Sequence, residues 1–257
     1  MQLAFVLLEQ PIEPDPERLC AALERDSPTD GPFEVLPKTE DDPEDGPLAI
    51  QMGDGSALFV MNIAAPVPDE EAEAAVRFSV SALGTGWELP PHRAQLVATV
   101  HEDEEDGAPM DRLLRFTRML AAIIDAVDGV VGVYWGAAGA THDPNFFRQV
   151  ALDGESLPIM LWNGVSIAGD DDQLSLLSLG MDQLGLPDLK LEASRHQGND
   201  ALGFFFDLLA YLARRGVAIP EGETVGRNAE EKLPVRYEPS PVDPEADVIC
   251  VELPIVH

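Results

Sequence analysis

The chain has 257 residues, 45% of them hydrophobic, with 47 acidic side chains against 16 basic ones and a formal net charge of −31. That length and apolar content supply a core for one large domain or two small ones. The charge disfavours nucleic acid, whose binding needs cations to displace counterions, and anionic membrane surfaces, so neither is expected as a partner, and it makes a basic protein the natural complement.

The opening MQLAFVLLEQP has no positively charged leader region and reads as a first strand rather than a signal peptide. Its apolar run over 3–8 is unbroken, as in a central strand. Pro14 and Pro16 lead into a short amphipathic helix over 17–25, followed by a brief strand over 33–36 and an acidic surface loop, KTEDDPEDGP, over 38–47. Segments 48–52 and 57–63 flank Gly53-Asp54-Gly55 as a hairpin. Acidic residues after Pro66-Val67-Pro68 suit the first turn of a helix over 70–81. Strand, helix, strands, helix is the order of a split βαβ unit.

After a loop over 84–91, segment 92–100 reads as a strand and HEDEEDG, 101–107, as a charged link. The stretch 110–168 organises the rest. Leu113, Leu114, Thr117, Leu120, Ala121, Ile124 and Val127 recur at helical spacing, so one stripe of that helix is buried. A strand with Trp135, the turn GAAGATHDP, a helix over 145–152 and a strand with Trp162 follow. Segments 157–168 and 174–179 form a second hairpin around GDDDQ; an irregular turn over 180–187 leads to a short strand over 188–192. A strong amphipathic helix over 200–215 is stopped by Gly216. The proline-rich acidic remainder ends in edge strands over 233–237 and 248–251.

No composition break divides the chain. The expectation is a single α+β domain over 1–240, a mixed or antiparallel sheet with helices packed on it, built from two related split-βαβ-like halves, 1–91 and 92–220. An acidic, proline-rich tail covers 241–257. Cys20 and Cys250 have no CxxC or metal spacing; two buried thiols in a reducing compartment is the default reading, and a bridge between them stays open.

Several short stretches also resemble a known family together: LLEQP, APVP before a helix, HRAQLVATV, GVYWGAAGATHDPNFF, LWNGVSI, GMDQLGLPDL and GETVGRNAEEKLPVRYEPS. In that order, from Leu7 to Ser240, they resemble a bacterial family of uncharacterised proteins, the domain of unknown function 4261. The resemblance implies a bacterial, intracellular, globular protein and carries no activity. In the family pattern a second histidine follows an HxA where Gln95 stands here, which weakens a paired-histidine metal site.

Site candidates are sparse. His92 opens a strand and could act as a base or bond a backbone group, with no acidic or cysteine partner at metal spacing. The turn with Trp135, Gly136, Gly139, Thr141, His142 and Asp143 is the best candidate for a pocket. Backbone amides there could hold an anion, yet the spacing is neither GxGxxG nor GxxxxGK[ST]; packing glycines and a helix cap explain it as well. Ser166 lies in a strand, so GVSIA is no nucleophile elbow. Putting Gly46 or Gly107 sixth in a calcium loop puts Met52 or Leu113 twelfth, where a glutamate is needed. Trp87, Trp135, Trp162 and 204–206 could line a pocket, although aromatics in such elements are usually core. No metal site and no cofactor are expected.

The leading expectation is therefore a non-catalytic, acidic, protein-binding domain of the cytoplasm, immunity- or adaptor-like, whose oligomeric state is open. The alternative is a hydrolase-type enzyme with its site near His92 and His142. Geometry separates them. An enzyme should bring both histidines and an acid into one cleft, whereas a binder should leave them apart and packed.

Overall fold

The computed structural model describes residues 2–38, 43, 46–102 and 108–254. The chain divides into two units, Met1–Leu161 and Trp162–His257. The elements of the first are β1 (Gln2–Leu8), α1 (Pro16–Asp26), β2 (Glu34–Val35), β3 (Leu48–Gln51), β4 (Ala57–Ile63), α2 (Glu71–Ala75), α3 (Val80–Thr85), β5 (Ala94–His101), α4 (Pro109–Ala126), β6 (Val130–Trp135), β7 (Ala140–His142) and α5 (Pro144–Ala151). Its seven strands form one antiparallel sheet in the order β2-β3-β4-β5-β1-β6-β7.

Strand β1 explains its own composition. Ala4, Val6 and Leu8 are fully buried on one face, while Leu7 on the other joins Val67, Ala72, Ala75 and Tyr134 in a second cluster. A strand covered on both sides has no polar face to alternate with. Helix α4 packs against β1, α1 and α5. It buries Leu113, Thr117, Leu120, Ala121 and Ile124 of the predicted stripe, and Phe116 besides. Phe116 meets Trp135 edge-on, with ring centroids 5.5 Å apart, and burying side chains of that size stabilises by about 1.5–3 kcal/mol each.

The second unit follows a single helical turn, α6 (Ile159–Trp162). Its elements are β8 (Gly164–Gly169), β9 (Gln173–Leu179), β10 (Leu189–Ser194), α7 (Gly198–Arg215), β11 (Thr224–Val225), β12 (Leu233–Pro234), β13 (Arg236–Pro239) and β14 (Asp247–Glu252). Five strands form a mixed sheet in the order β13-β14-β10-β9-β8, in which only β10 and β14 run parallel. Helix α7 packs on β9 and β10 and buries Phe205, Leu208, Leu209 and Leu212. Gly216, at φ +68°, caps it by donating to the Leu212 carbonyl.

The α+β class and the antiparallel and mixed sheets agree with expectation; several local features differ. Segment 70–81 is not one helix: Asp69 and Glu70 sit at φ +56° and +55°, and Ser79 is extended, so α2 and α3 are separate. Trp162 lies in the turn α6, not in a strand. β7 interrupts what read as a turn. β14 is an internal strand rather than an edge, and it brings the expected tail into the sheet. The expected boundary between halves 1–91 and 92–220 falls inside the seven-stranded sheet, because β5 pairs with β1 and β4. Cys20 and Cys250 are free thiols. Most of the loop over 38–47 and of the link over 101–107 lies outside the described residues.

Candidate functional site

His92 is buried, and one of its two ring nitrogens is hydrogen-bonded. Its Nε2 accepts from the Val67 backbone N–H at 3.2 Å. That fixes the proton of the neutral ring on Nδ1, which lies 3.4 Å from Glu73 Oε1, an ion-pair distance rather than a hydrogen bond. With its lone pair facing a backbone amide, this imidazole ties the 66–73 segment to the start of β5. Neighbouring Gln95 does the same by donating to the Pro66 carbonyl at 3.3 Å.

His142 belongs to a different group. The Leu161 carbonyl can only accept, so Nε2 carries the proton and donates to it at 3.2 Å. Nδ1 then accepts from Ser79 Oγ at 2.8 Å, and Ser81 Oγ, 2.8 Å from Ser79 Oγ, donates in turn. The Asp143 backbone N–H closes the chain by donating to Ser81 Oγ at 3.1 Å. Burial pushes the His142 pKa down to about 4, against a smaller upward pull from the Leu161 carbonyl. Ser79 and His142 stand at the distance of a serine–base pair, and both have 0% exposure. The arrangement fastens α3 to β7. The two serines carried no signal in the sequence, where both fell in the last turn of the helix expected over 70–81.

The two histidines share no hydrogen-bond partner among the described residues. The remaining candidates have local duties. Asp143 caps α5 by accepting from the Phe146 N–H at 2.8 Å. Thr141 donates to the Ala72 carbonyl at 2.7 Å. Trp135 is buried between Phe116 and Phe147. Gly139 is needed for its φ of +55°, while a Cβ on Gly136 would meet only an ordinary contact with Phe5. Trp162, also fully buried, accepts from Gln183 through its carbonyl at 3.0 Å. Among the described residues no group of three His, Cys, Asp or Glu side chains is placed to hold a metal ion, and no helix is long and apolar enough to cross a membrane.

Two surface features stand apart from these packed groups. In the first unit Asp69, Glu70, Glu71 and Glu73 are exposed around the turn into α2. Two consecutive non-glycine residues there hold left-handed backbone, at roughly 1–2 kcal/mol each. In the second unit a groove of about 390 Å³ runs between α7 and β11, lined by Phe204, Asp207, Leu208, Tyr211 and the segment 224–227. Of the 204–206 aromatics, Phe204 reaches this groove and Phe205 is core.

Residues 177–252 match the family model described as Domain of unknown function (DUF4261), from within β9 to the end of β14, a stretch that includes every residue lining the groove. No curated protein and no solved structure matches the chain. GMDQLGLPDL and GETVGRNAEEKLPVRYEPS fall inside the match and the other quoted stretches outside it. Over residues 177–252 the chain is thus similar to the family described as the domain of unknown function 4261.

Proposed function

We propose that the chain is a non-catalytic binding module of the cytoplasm, immunity- or adaptor-like, which uses acidic surface to hold a basic protein. One observation carries this reading: many of the few bases are spent on internal ion pairs, while acids face outward. Arg115 is enclosed by Asp30, Asp54 and Glu102. Arg25 and Arg148 both reach Asp125, and Lys190 lies between Glu192 and Glu238. The turn at Asp69, Glu70 and Glu71 is left to solvent. A net charge of −31 so disposed gives a field that accelerates encounter with cationic surfaces and screens out anionic ones.

The test is capture from a lysate of the source cells at low and high salt, with the full chain and with an Asp69→Asn, Glu70→Gln, Glu71→Gln variant as baits. The expected result is one basic protein, identified by mass spectrometry, held by the wild type at low salt. High salt should release it, and the variant should retain less. Absence of a specific partner at either salt overturns the reading.

A further inference from the structure

The α7–β11 groove is built to keep its shape. Phe204, Asp207, Leu208 and Tyr211 recur at the spacing of one helix face. Phe204 and Leu208 form the floor, while Tyr211 on the rim is 47% exposed. The opposite wall is a tightly determined turn. A Cβ on Gly226 would stand 2.2 Å from the Glu231 carbonyl oxygen, so the backbone can close there only with glycine. Asn228 Oδ1 accepts from the Glu230 and Glu231 amides, and the Arg227 amide donates to the Glu231 carboxylate at 2.7 Å.

The groove holds charges of both signs, of which, among the described residues, the cation is paired and the carboxylate is not. The Arg227 guanidinium lies over the Phe204 ring, 5.6 Å from its centroid, and is paired with Glu231. Arg215, which donates to the Tyr211 hydroxyl at 3.2 Å, faces Glu223 at 3.9 Å. Asp207 has no ion pair among the described residues and is exposed at the rim. An apolar floor beside one uncompensated carboxylate selects an apolar group that carries a cation next to it.

We propose that this groove is the anchor site for the protein partner: it takes a phenylalanine- or leucine-sized side chain whose neighbouring lysine or arginine meets Asp207. This rests on the acidic-binder reading and adds a place and a side-chain chemistry to it. Covering the floor and the Tyr211 ring supplies affinity that charge alone does not, because rim charges mainly set on-rates and salt dependence.

The probes are three labelled pentapeptides, Lys-Lys-Phe-Lys-Lys, Lys-Lys-Ala-Lys-Lys and Glu-Glu-Phe-Glu-Glu, titrated against the full chain by fluorescence anisotropy. The phenylalanine–lysine peptide is expected to bind at least about tenfold tighter than the alanine one, the yield of burying one large apolar side chain. Asp207→Lys and Tyr211→Ala should each weaken it by about fivefold or more. Both positions are on the surface, and an unchanged thermal transition confirms that the variants fold. Equal binding of the alanine peptide, or no effect of the variants, overturns the groove as anchor while the acidic reading stands. Equal binding of the glutamate peptide overturns the choice of a basic neighbour. No binding of either lysine peptide sinks both.

Discussion

Burial holds His142 neutral, with its pKa at about 4 in the folded protein against an ordinary value of 6.5. Between those values only the unfolded chain takes up the proton, so stability from this residue is complete above about pH 6.5 and falls as pH drops towards 4. From about pH 7 to about pH 5 the loss is about 2 kcal/mol. The carboxyls of Asp54 and Glu231, both held at about 2, lose their contribution in a lower window, below their ordinary values of 3.8 and 4.5. A His142→Gln variant starts less stable, because Ser79 and the Leu161 carbonyl lose their partner, but it should lack this slope. Urea unfolding at the two pH values measures both chains. The same pH-dependent loss in wild type and variant would show that His142 is not the group that titrates. His92 has a different standing: its Nε2 is spent on an amide donor while its proton faces the exposed Glu73.

Elements in the first unit are tied by one cation. Arg115, on the N-terminal half of α4, reaches Asp30 beyond α1, Asp54 in the β3–β4 turn and Glu102 at the end of β5. Burial works against the Asp54 carboxylate, yet hydrogen bonds from Ser56 and Arg115 bring its pKa down to about 2. The Arg115 side chain is 17% exposed, and Asp30 and Glu102 are 16% and 11% exposed, so its removal leaves two carboxylates with little solvent to screen them, while Asp54, at 48%, keeps much of its hydration. An Arg115→Met variant should lose about 3 kcal/mol, near the lower end for a broken buried pair, read as a lower urea midpoint at constant slope. An unchanged midpoint would make the cluster surface decoration. The same scale shows what could be read in the sequence. β1 and α4 were legible because their patterns report burial directly, as an unbroken apolar run and a helical stripe. The break in the 70–81 helix was not, since Ser79 leaves helical backbone to bond His142, a partner 63 residues away. β7, with three residues, is too short to show alternation. The buried run VICV in β14 had the signature of a strand covered on both faces, but its acidic, proline-rich surroundings drew it to an edge. A helix cap among Thr141, His142 and Asp143 followed from residue type, and the backbone assigns it to Asp143. The groove did not follow, because it joins one face of α7 to the segment 224–227, which is distant in sequence and has no periodic pattern.

Across the whole molecule, two electrostatic effects of opposite sign compete, and their ranges decide between them. Attraction is short-ranged: the ion pairs at Arg18, Arg25, Arg148 and Lys190 close at 2.7–3.1 Å. Repulsion among the excess carboxylates acts over much longer distances. Salt separates these terms, since the screening length is about 30 Å at about 0.01 M and about 3 Å at about 1 M. Raising the salt therefore removes most of the long-range repulsion while leaving direct ion pairs partly intact, and exposed pairs of this kind are worth only about 0–1 kcal/mol each to begin with. The folded state gathers the charge of −31 into a smaller volume than the unfolded chain does, so screening stabilises the fold. Tm in scanning calorimetry should rise steadily across that range, with each 1 kcal/mol gained worth roughly 2–4 °C for a chain of this length. Association with a basic partner should weaken over the same titration, because that attraction depends on the unscreened field. A Tm that falls with salt would mean that the internal ion pairs dominate, and that the outward-facing carboxylates are too well separated or too well solvated to generate the field on which the binding proposal relies.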